Sequence, residues 1–249
     1  MPERWRLLNL GLMPYREAWA MQTSVVEDRI AGRVEDTLIL VEHPPIITLG
    51  AAADMDQVLA STDELARQGV ELIRVNRGGN VTYHGPGQLV GYPIIDLSGY
   101  GGDVHLYVRR LEQAIMALLA GYGIQSGLRN GYPGVWVDEK KIAARGVYIK
   151  RWVTMHGFSL NVQPDLSHFS LINPCGIVGC QVTSMARELE REVDQWEVRR
   201  RLAVALGDVF SVRIEEETGE SVSPASGVHI SGSETASPRP GPGPQHCPR

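Results

Sequence analysis

The 249-residue sequence has few cysteines, few aromatic residues and no excess of positive charge. Its three cysteines are too few for a disulfide framework, and the absence of a Cys-x-x-Cys pair argues against a zinc site. We therefore expect no metal site. The sequence implies no dissociable cofactor either. The formal net charge of −5 argues against a nucleic-acid-binding surface, which is normally basic.

Long hydrophobic runs are also missing. No window approaches the roughly 20 apolar residues that a membrane-spanning helix needs. The opening residues MPERWRLLNLGLMPY lack the long apolar core of a secretory signal. With 43% hydrophobic residues, the chain can still build a sizeable core. These features predict a soluble cytoplasmic protein, and nothing in them demands more than a monomer.

Apolar periodicity predicts strands in runs with a few helices between them. Strands are expected over residues 5–10, 37–41, 46–49, 70–75, 89–97, 135–137, 141–149 and 153–162, and helices over 14–30, 61–68, 103–121 and 194–210. Asp103 is a predicted N-cap, and Asp194 with Glu197 forms a capping-box pattern. The order predicts an α+β fold with a mixed, largely antiparallel sheet and flanking helices.

The composition changes at Glu217 to serine, glycine, proline and threonine. Such a segment cannot bury enough apolar surface to offset the entropy lost on ordering. We expect one folded domain over residues 1–216 and a disordered, low-complexity tail over 217–249.

The segment from Asn76 to Gln88, NRGGNVTYHGPGQ, follows a predicted strand and combines four glycines with polar side chains. Glycines allow positive φ and close approach to a ligand, whereas Pro86 fixes φ. The composition fits either a double turn between two buried strands or a loop that cradles a substrate.

Two side chains outside this loop are candidates for nucleophilic chemistry. Cys175 lies in the turn-like sequence INPCG, and Lys141 enters an apolar strand after a polar turn. An ammonium near a thiol would favour the thiolate that attacks carbonyl carbons. A buried structural cysteine and a lysine at a strand edge are the alternatives.

Several histidines and polar residues receive weaker assignments. His84 and His156 are each followed by glycine and could either move protons near neutral pH or simply hydrogen-bond to a loop carbonyl. Asn161 is expected to organise the backbone at the end of its strand, as is Asp165. We assign no role to two further histidines, at positions 43 and 168.

Four stretches in order resemble the lipoyl(octanoyl) transferases, a family of the biotin/lipoate protein ligase-like superfamily. They are RGGNVTYHGPGQLVGYPI from Arg77, GVWVDEKKIAARG from Gly134, TMHGFSLNV from Thr154, and INPCG followed by VTSM up to Met185. The resemblance implies that residues 1–216 form a ligase-like catalytic domain. It also implies transfer of an octanoyl group from octanoyl-acyl carrier protein to a lysine of a lipoyl domain. Such domains occur in the E2 subunits of 2-oxo acid dehydrogenases and in the glycine cleavage H protein.

The resemblance also implies roles for individual residues. Cys175 would be the nucleophile that forms an acyl-thioester, and Lys141 its partner. The substrate contacts would lie in one tunnel lined by Arg77, Gly78, Gly79, Asn80, Val81, Thr82, Tyr83, His84, Ala144, Arg145, Gly146, Gly157, Phe158 and Ser159.

Two of these positions depart from the family pattern. Arg145 stands where an aliphatic residue is usual, and Ser159 replaces a common alanine. If the backbone of Arg145 makes the contact, function is preserved, whereas a side chain in the tunnel would alter acyl-length preference. Two other functions remain open: an ATP-dependent lipoate ligase on the same fold, and a protein that only docks lipoyl domains or carrier protein.

Overall fold

A computed structural model describes residues 3–173 and 180–217 of the chain. Cys175 and the greater part of the predicted tail lie outside these ranges. The strands are β1 (Arg4–Leu12), β2 (Thr37–Glu42), β3 (Ile46–Leu49), β4 (Glu71–Arg74), β5 (Val81–His84), β6 (Gln88–Ile94), β7 (Gly127–Arg129), β8 (Tyr132–Val137), β9 (Lys140–Lys150), β10 (Val153–Asn161), β11 (Gln181–Val182) and β12 (Arg213–Glu216). The helices are α1 (Tyr15–Ile30), α2 (Thr62–Arg67), α3 (Val104–Ala120), α4 (Met185–Leu189) and α5 (Gln195–Phe210).

Most strands form one mixed sheet in the order β12-β1-β2-β6-β10-β9-β8-β7, with β11 also paired to β9. Strand β1 runs parallel to β2 and β12, and β11 runs parallel to β9. The remaining pairs in this sheet are antiparallel. A smaller sheet has the order β4-β3-β5. The predicted α+β fold with a largely antiparallel sheet is confirmed.

Strand β2 shows why this sheet is covered on both faces. Leu38 and Leu40 contribute to one hydrophobic core, which also contains residues of α3 and α5. Ile39 and Val41, which point the opposite way, contribute to a second core with residues of α1. Because both faces are buried, the strand is apolar at consecutive positions rather than at alternate ones.

The helix N-caps predicted from the sequence are confirmed in part. The Asp103 carboxylate accepts hydrogen bonds from the backbone N–H groups of the next turn at 2.8 and 3.0 Å, as predicted. Asp194 caps α5 by accepting from the Trp196 N–H at 2.8 Å. The predicted capping box is incorrect in its second half, since Glu197 forms a salt bridge with Arg201 at 2.7 Å. An ion pair one turn ahead competes for the same carboxylate.

The glycine-rich segment also differs from its prediction as a continuous loop. Residues Val81–His84 form β5, which pairs with β3 from Ile46 opposite His84 to Leu49 opposite Val81. The short strands β7, β11 and β12 were not predicted either. Strands of two to four residues have too little periodicity to be detected, and they form because neighbouring strands supply hydrogen bonds. Among the described helices, none is long and apolar enough to cross a membrane.

Candidate active site

The glycine-rich segment packs directly against strand β9. The backbone N–H of Gly78 donates to the Val147 carbonyl oxygen at 2.9 Å. A Cβ atom on Gly146 would lie 2.7 Å from the Gly78 carbonyl oxygen, closer than real Cβ contacts. Glycine at position 146 therefore allows the loop to lie against the strand.

A cavity of about 380 Å³ lies where this loop meets β9 and β10. Thirteen of the fourteen predicted substrate-binding residues line it, all except Tyr83. Residues that sequence reasoning did not include also line it: Tyr15, Val90, Tyr92, Gly131, Pro133, Val147 and His156. The segments brought together by the fold thus surround one space, as expected for a tunnel that holds a single ligand.

Tyr83 differs from its neighbours because its side chain belongs to the core beside the small sheet. Its hydroxyl lies 2.8 Å from Nδ1 of His168, and its ring packs edge-on against Phe169 at 5.4 Å. His168, to which the sequence assigned no role, is therefore the polar partner of a buried tyrosine. The pattern offered no signal for this pair, because the two residues are 85 positions apart.

Arg77 is a buried cation at the cavity, with 8% of its surface exposed. Its Nη2 donates to the backbone carbonyl of Thr48 at 2.7 Å and to the hydroxyl of the same residue at 2.8 Å. These contacts hold the guanidinium against β3. Its positive charge also opposes protonation of the neighbouring imidazoles of His84 and His156.

Three histidines near the cavity are held neutral. Burial lowers the pKa of the His84 imidazole to about 3 and that of His156 to about 3. Burial also lowers the pKa of His43 to about 4, and its Nε2 lies 2.8 Å from the Tyr92 hydroxyl. Burial therefore argues against the interpretation of His84 or His156 as a proton shuttle near neutral pH. Desolvation favours the uncharged ring, and the local sequence does not report burial.

Lys141 lies on strand β9. The pairing of β9 with β8 determines which way the Lys141 side chain points. Val135 of β8 pairs with Ala143. The next residue of β8, Trp136, pairs with Lys141, two positions back along β9. Strand β9 therefore contains one extra residue here, a β-bulge. Since adjacent residues of β8 point to opposite faces, Lys141 lies on the same face as Ala144, which lines the cavity.

Lys141 is buried, with 4% of its surface exposed. Its Nζ lies 4.9 Å from the centroid of the Trp136 ring, within range of a cation–π interaction. Its carbonyl accepts from the Thr183 N–H at 3.0 Å, and Val182 of β11 pairs with it in parallel. The chain that follows residues 174–179 therefore lies beside this lysine. Cys175 is outside the described residues, so the pairing of its thiol with Lys141 stays a prediction.

The two departures from the family pattern occupy different surroundings. Arg145 donates from Nε to a carboxylate oxygen of Glu112 on α3 at 3.0 Å. The same carboxylate oxygen accepts from the Gly134 N–H at 3.3 Å. Ser159 is buried opposite Ala144 in the register of β9 and β10. The Arg145 guanidinium is thus tied to a helix behind the sheet.

The polar residues at the far end of β10 act as structural ties. Asn161 accepts from the Gln88 side chain at 2.9 Å and donates to the Thr183 carbonyl at 3.0 Å. Asp165 accepts from the Ser167 N–H at 2.9 Å and caps a short 3-10 helix. Their predicted role in organising backbone is confirmed. In the part of the chain that the structure describes, no three His, Cys, Asp or Glu residues form a group that could hold a metal ion.

The chain is similar to proteins of known family over most of its length. Residues 14–207 match the family model of the lipoyl protein ligase A/B catalytic domain. An octanoyltransferase from Geobacter sulfurreducens is 43% identical over 94% of this chain and 97% of its own length. One from Chloroflexus aurantiacus is 50% identical over 82% of this chain and 92% of its own length.

A solved structure extends the comparison to the fold. The crystal structure of lipoate-protein ligase A bound with ATP aligns with a TM-score of 0.67, covering 87% of this chain and 89% of that one. At 18% identity this likeness concerns the fold alone. It confirms the predicted biotin/lipoate protein ligase-like architecture.

Proposed function

The chain belongs to the octanoyltransferase family of lipoyl protein ligase A/B catalytic domains, and on this basis we propose that it moves an octanoyl group from octanoyl-acyl carrier protein to the acceptor lysine of lipoyl domains. The observation that carries the proposal is 43% identity to an octanoyltransferase over nearly the whole of both chains. The acceptors would be E2 subunits of 2-oxo acid dehydrogenases and the glycine cleavage H protein. From composition alone we further propose a cytoplasmic monomer.

The cavity supports an acyl ligand. Its volume of about 380 Å³ falls within the range of small-molecule sites. Val81, Val90, Val147 and Phe158 supply apolar lining along its length. Each buried methylene contributes about 0.8 kcal/mol, so the cavity would favour an eight-carbon chain over a short one.

The reaction would proceed in two steps. The Cys175 thiolate attacks the carbonyl carbon of the donor thioester, and the carrier's thiolate leaves as the new thioester forms. The neutral amine of the acceptor lysine then attacks this thioester, an amide forms, and the Cys175 thiolate is released. The amine's surplus proton must be taken up by a base. Two steps suit two protein substrates, because the first carrier departs before the second docks.

Lys141 is proposed to serve both steps. Its ammonium would stabilise the thiolate in the resting enzyme and then give its proton to the carrier thiolate as that leaves. The neutral Lys141 amine left behind would accept the surplus proton of the incoming amine, which restores the ammonium beside the released Cys175 thiolate. The buried position and the Trp136 ring at 4.9 Å restrict where its Nζ can lie. We expect Lys141→Arg to keep the thiolate yet slow transfer to the lipoyl domain, since arginine does not release a proton near neutral pH. Rapid-quench measurement of the two half-reactions checks this, and equal slowing of both would contradict the second role.

Intact-mass spectrometry tests the function. The full chain is mixed with octanoyl-acyl carrier protein, beside a Cys175→Ser control. We expect an added octanoyl mass on the wild type, absent in the control and discharged by an apo lipoyl domain. If the wild type gains no octanoyl mass and transfers none to the lipoyl domain, ATP and free octanoate are added to the mixture. Modification of the lipoyl domain would then identify a ligase. If the lipoyl domain stays unmodified, the remaining hypothesis is a protein that only docks its partners.

A further inference from the structure

The indole ring of Trp136 is held in a fixed position on strand β8. Trp136 is only 4% exposed, and β8 lies between β7 and β9 in the sheet. The indole N–H donates to the Tyr132 carbonyl oxygen at 3.1 Å. The Tyr132 ring packs against the indole in a T-shaped arrangement, with ring centroids 6.0 Å apart. A hydrogen bond at the ring edge and a ring contact thus fix the direction in which the indole face points.

Both neighbouring strands place a cation over this ring. Lys141 of β9 has its Nζ 4.9 Å from the ring centroid, and Arg129 of β7 has its Cζ 5.3 Å from the same centroid. An aromatic face attracts cations most strongly when it belongs to tryptophan and when the cation is removed from water. Lys141 is 4% exposed, whereas the Arg129 side chain is 37% exposed. The ring therefore stabilises the Lys141 ammonium more than the Arg129 guanidinium.

In the part of the chain that the structure describes, every other charged side chain of β7, β8, β9 and β10 is paired with a carboxylate. The pairs are Arg129 with Glu139, Lys140 with Glu188, Arg145 with Glu112, and Lys150 with Glu27. Two further titratable groups lie next to these strands, Asp138 in the turn between β8 and β9 and Cys180 just before β11. All of these groups stay the same when only Trp136 is altered, so a difference between variants reports the ring.

We propose that Trp136 is a positioning residue, whose ring face holds Lys141 in one place and keeps it in the ammonium form. The bulge in β9 allows this contact, because it brings Lys141 opposite Trp136. A buried ammonium loses its hydration, and the ring replaces part of that stabilisation. A carboxylate would cancel the field of the ammonium, whereas an uncharged ring leaves that field to act on a nearby anion. That this anion is the Cys175 thiolate rests on the proposed function.

NMR can follow Lys141 directly, because the chain has only three lysines, at positions 140, 141 and 150. The full chain is labelled with carbon-13 at the lysine Cε atoms. Lys140→Arg and Lys150→Arg each remove one signal and so assign the third to Lys141. A titration then gives the pH at which each lysine loses its proton. Lys140 and Lys150 are internal controls, since each is paired with a carboxylate rather than with the ring.

Fluorinated tryptophans separate the attraction of the ring from its packing. Tryptophans with increasing numbers of fluorine atoms are incorporated at position 136 alone, which weakens the negative potential of the ring face while nearly preserving its shape. We expect the titration midpoint of Lys141 to fall stepwise, and those of the two control lysines to stay constant. The same series at Trp5, a buried tryptophan that packs against Tyr100 and Phe210, should leave Lys141 unchanged. A Lys141 midpoint that does not respond at position 136, or that moves equally with the Trp5 series, overturns the proposal.

Two substitutions test the whole ring. Trp136→Leu removes the aromatic face and should lower the Lys141 midpoint by about 1 pH unit or more, because the ammonium loses its cation–π partner. Trp136→Phe keeps a weaker face and should lower the midpoint by less. The ring current of the indole should also shift the Lys141 Hε protons upfield in the wild type, and this shift should vanish in the leucine variant. Equal midpoints in the two variants would assign the effect to lost packing and contradict the proposal.

Alkylation of Cys175 keeps this test separate from the proposed function. Its rate with iodoacetamide is measured across pH in the same fluorinated proteins. If the ring holds the ammonium and the ammonium serves the thiolate, the Lys141 midpoint falls while the Cys175 profile moves to higher pH. If only the Lys141 midpoint falls, the ring holds the lysine but the proposed partnership with Cys175 fails. If octanoyl transfer occurs and the Lys141 midpoint stays constant, the transferase stands and the role of Trp136 is refuted.

Discussion

The Arg145–Glu112 pair should contribute unequally to stability when either partner is changed. The Glu112 side chain is 10% exposed and that of Arg145 is 33% exposed. Arg145→Met leaves a nearly buried carboxylate whose one remaining hydrogen bond from the described residues is from the Gly134 N–H at 3.3 Å. Breaking a fully buried pair costs about 3–5 kcal/mol, and partial exposure of the guanidinium reduces this to about 2–3 kcal/mol. Glu112→Gln keeps an acceptor oxygen and lets the guanidinium turn toward water, so we expect about 1 kcal/mol.

Urea unfolding of the full chain measures both variants and the double variant. The double variant should cost at least about 1 kcal/mol less than the sum of the two, because the residues are in direct contact. Asp28→Asn is the matched control, since its ion pair with Arg33 lies on the surface and should matter by less than about 1 kcal/mol. Equal costs that simply add would refute the reasoning that the buried carboxylate needs its cation.

Two further perturbations follow from packing and burial. Gly157→Ala would place a Cβ atom 2.2 Å from a backbone oxygen of β6, so it should destabilise the fold by about 1–3 kcal/mol. Gly127→Ala is the control, because a Cβ atom there would have no atom within 4 Å and should not destabilise the fold. Thermal melting compares the two variants. Burial lowers the pKa of His43 to about 4 and those of His84 and His156 to about 3, so below pH about 6.5 only the unfolded chain gains these protons. The free energy of unfolding should therefore fall as pH drops from about 6.5 toward 4, by up to about 1.4 kcal/mol per histidine per pH unit. Midpoints of urea unfolding that do not change between pH 7 and 5 would contradict this.

The elements that the sequence predicts well are those with strong local signals. Helix α3 combines the Asp103 cap with Leu111, Ile115 and Leu118 at helical spacing, and these residues point into the core. Strand β5 was missed, because its flanking glycines resemble a loop and its pairing partner β3 is more than 30 residues away. A four-residue strand carries little signal of its own.

Some residues of the candidate site could likewise be predicted from the sequence, and others could not. Motif residues such as Gly146 and Gly157 could be chosen from the sequence and lie opposite each other in the register of β9 and β10. Tyr15 and Tyr92 could not, because each belongs to an apolar pattern that predicts only packing. His43 follows a strand at a proline turn, where nothing in the sequence indicates its contact with Tyr92.

The sequence by itself determined the family, the α+β class and thirteen cavity residues, because these depend on local periodicity and on motifs preserved as strings. Tertiary structure decided where individual side chains point. The bulge in β9 puts Lys141 on the cavity face, and α3 supplies Glu112 to Arg145, 33 residues away. Helix α1 supplies Gln22 to His156, 134 residues away. Strand register and contacts between distant elements follow from how whole faces pack together, and no local pattern contains that information.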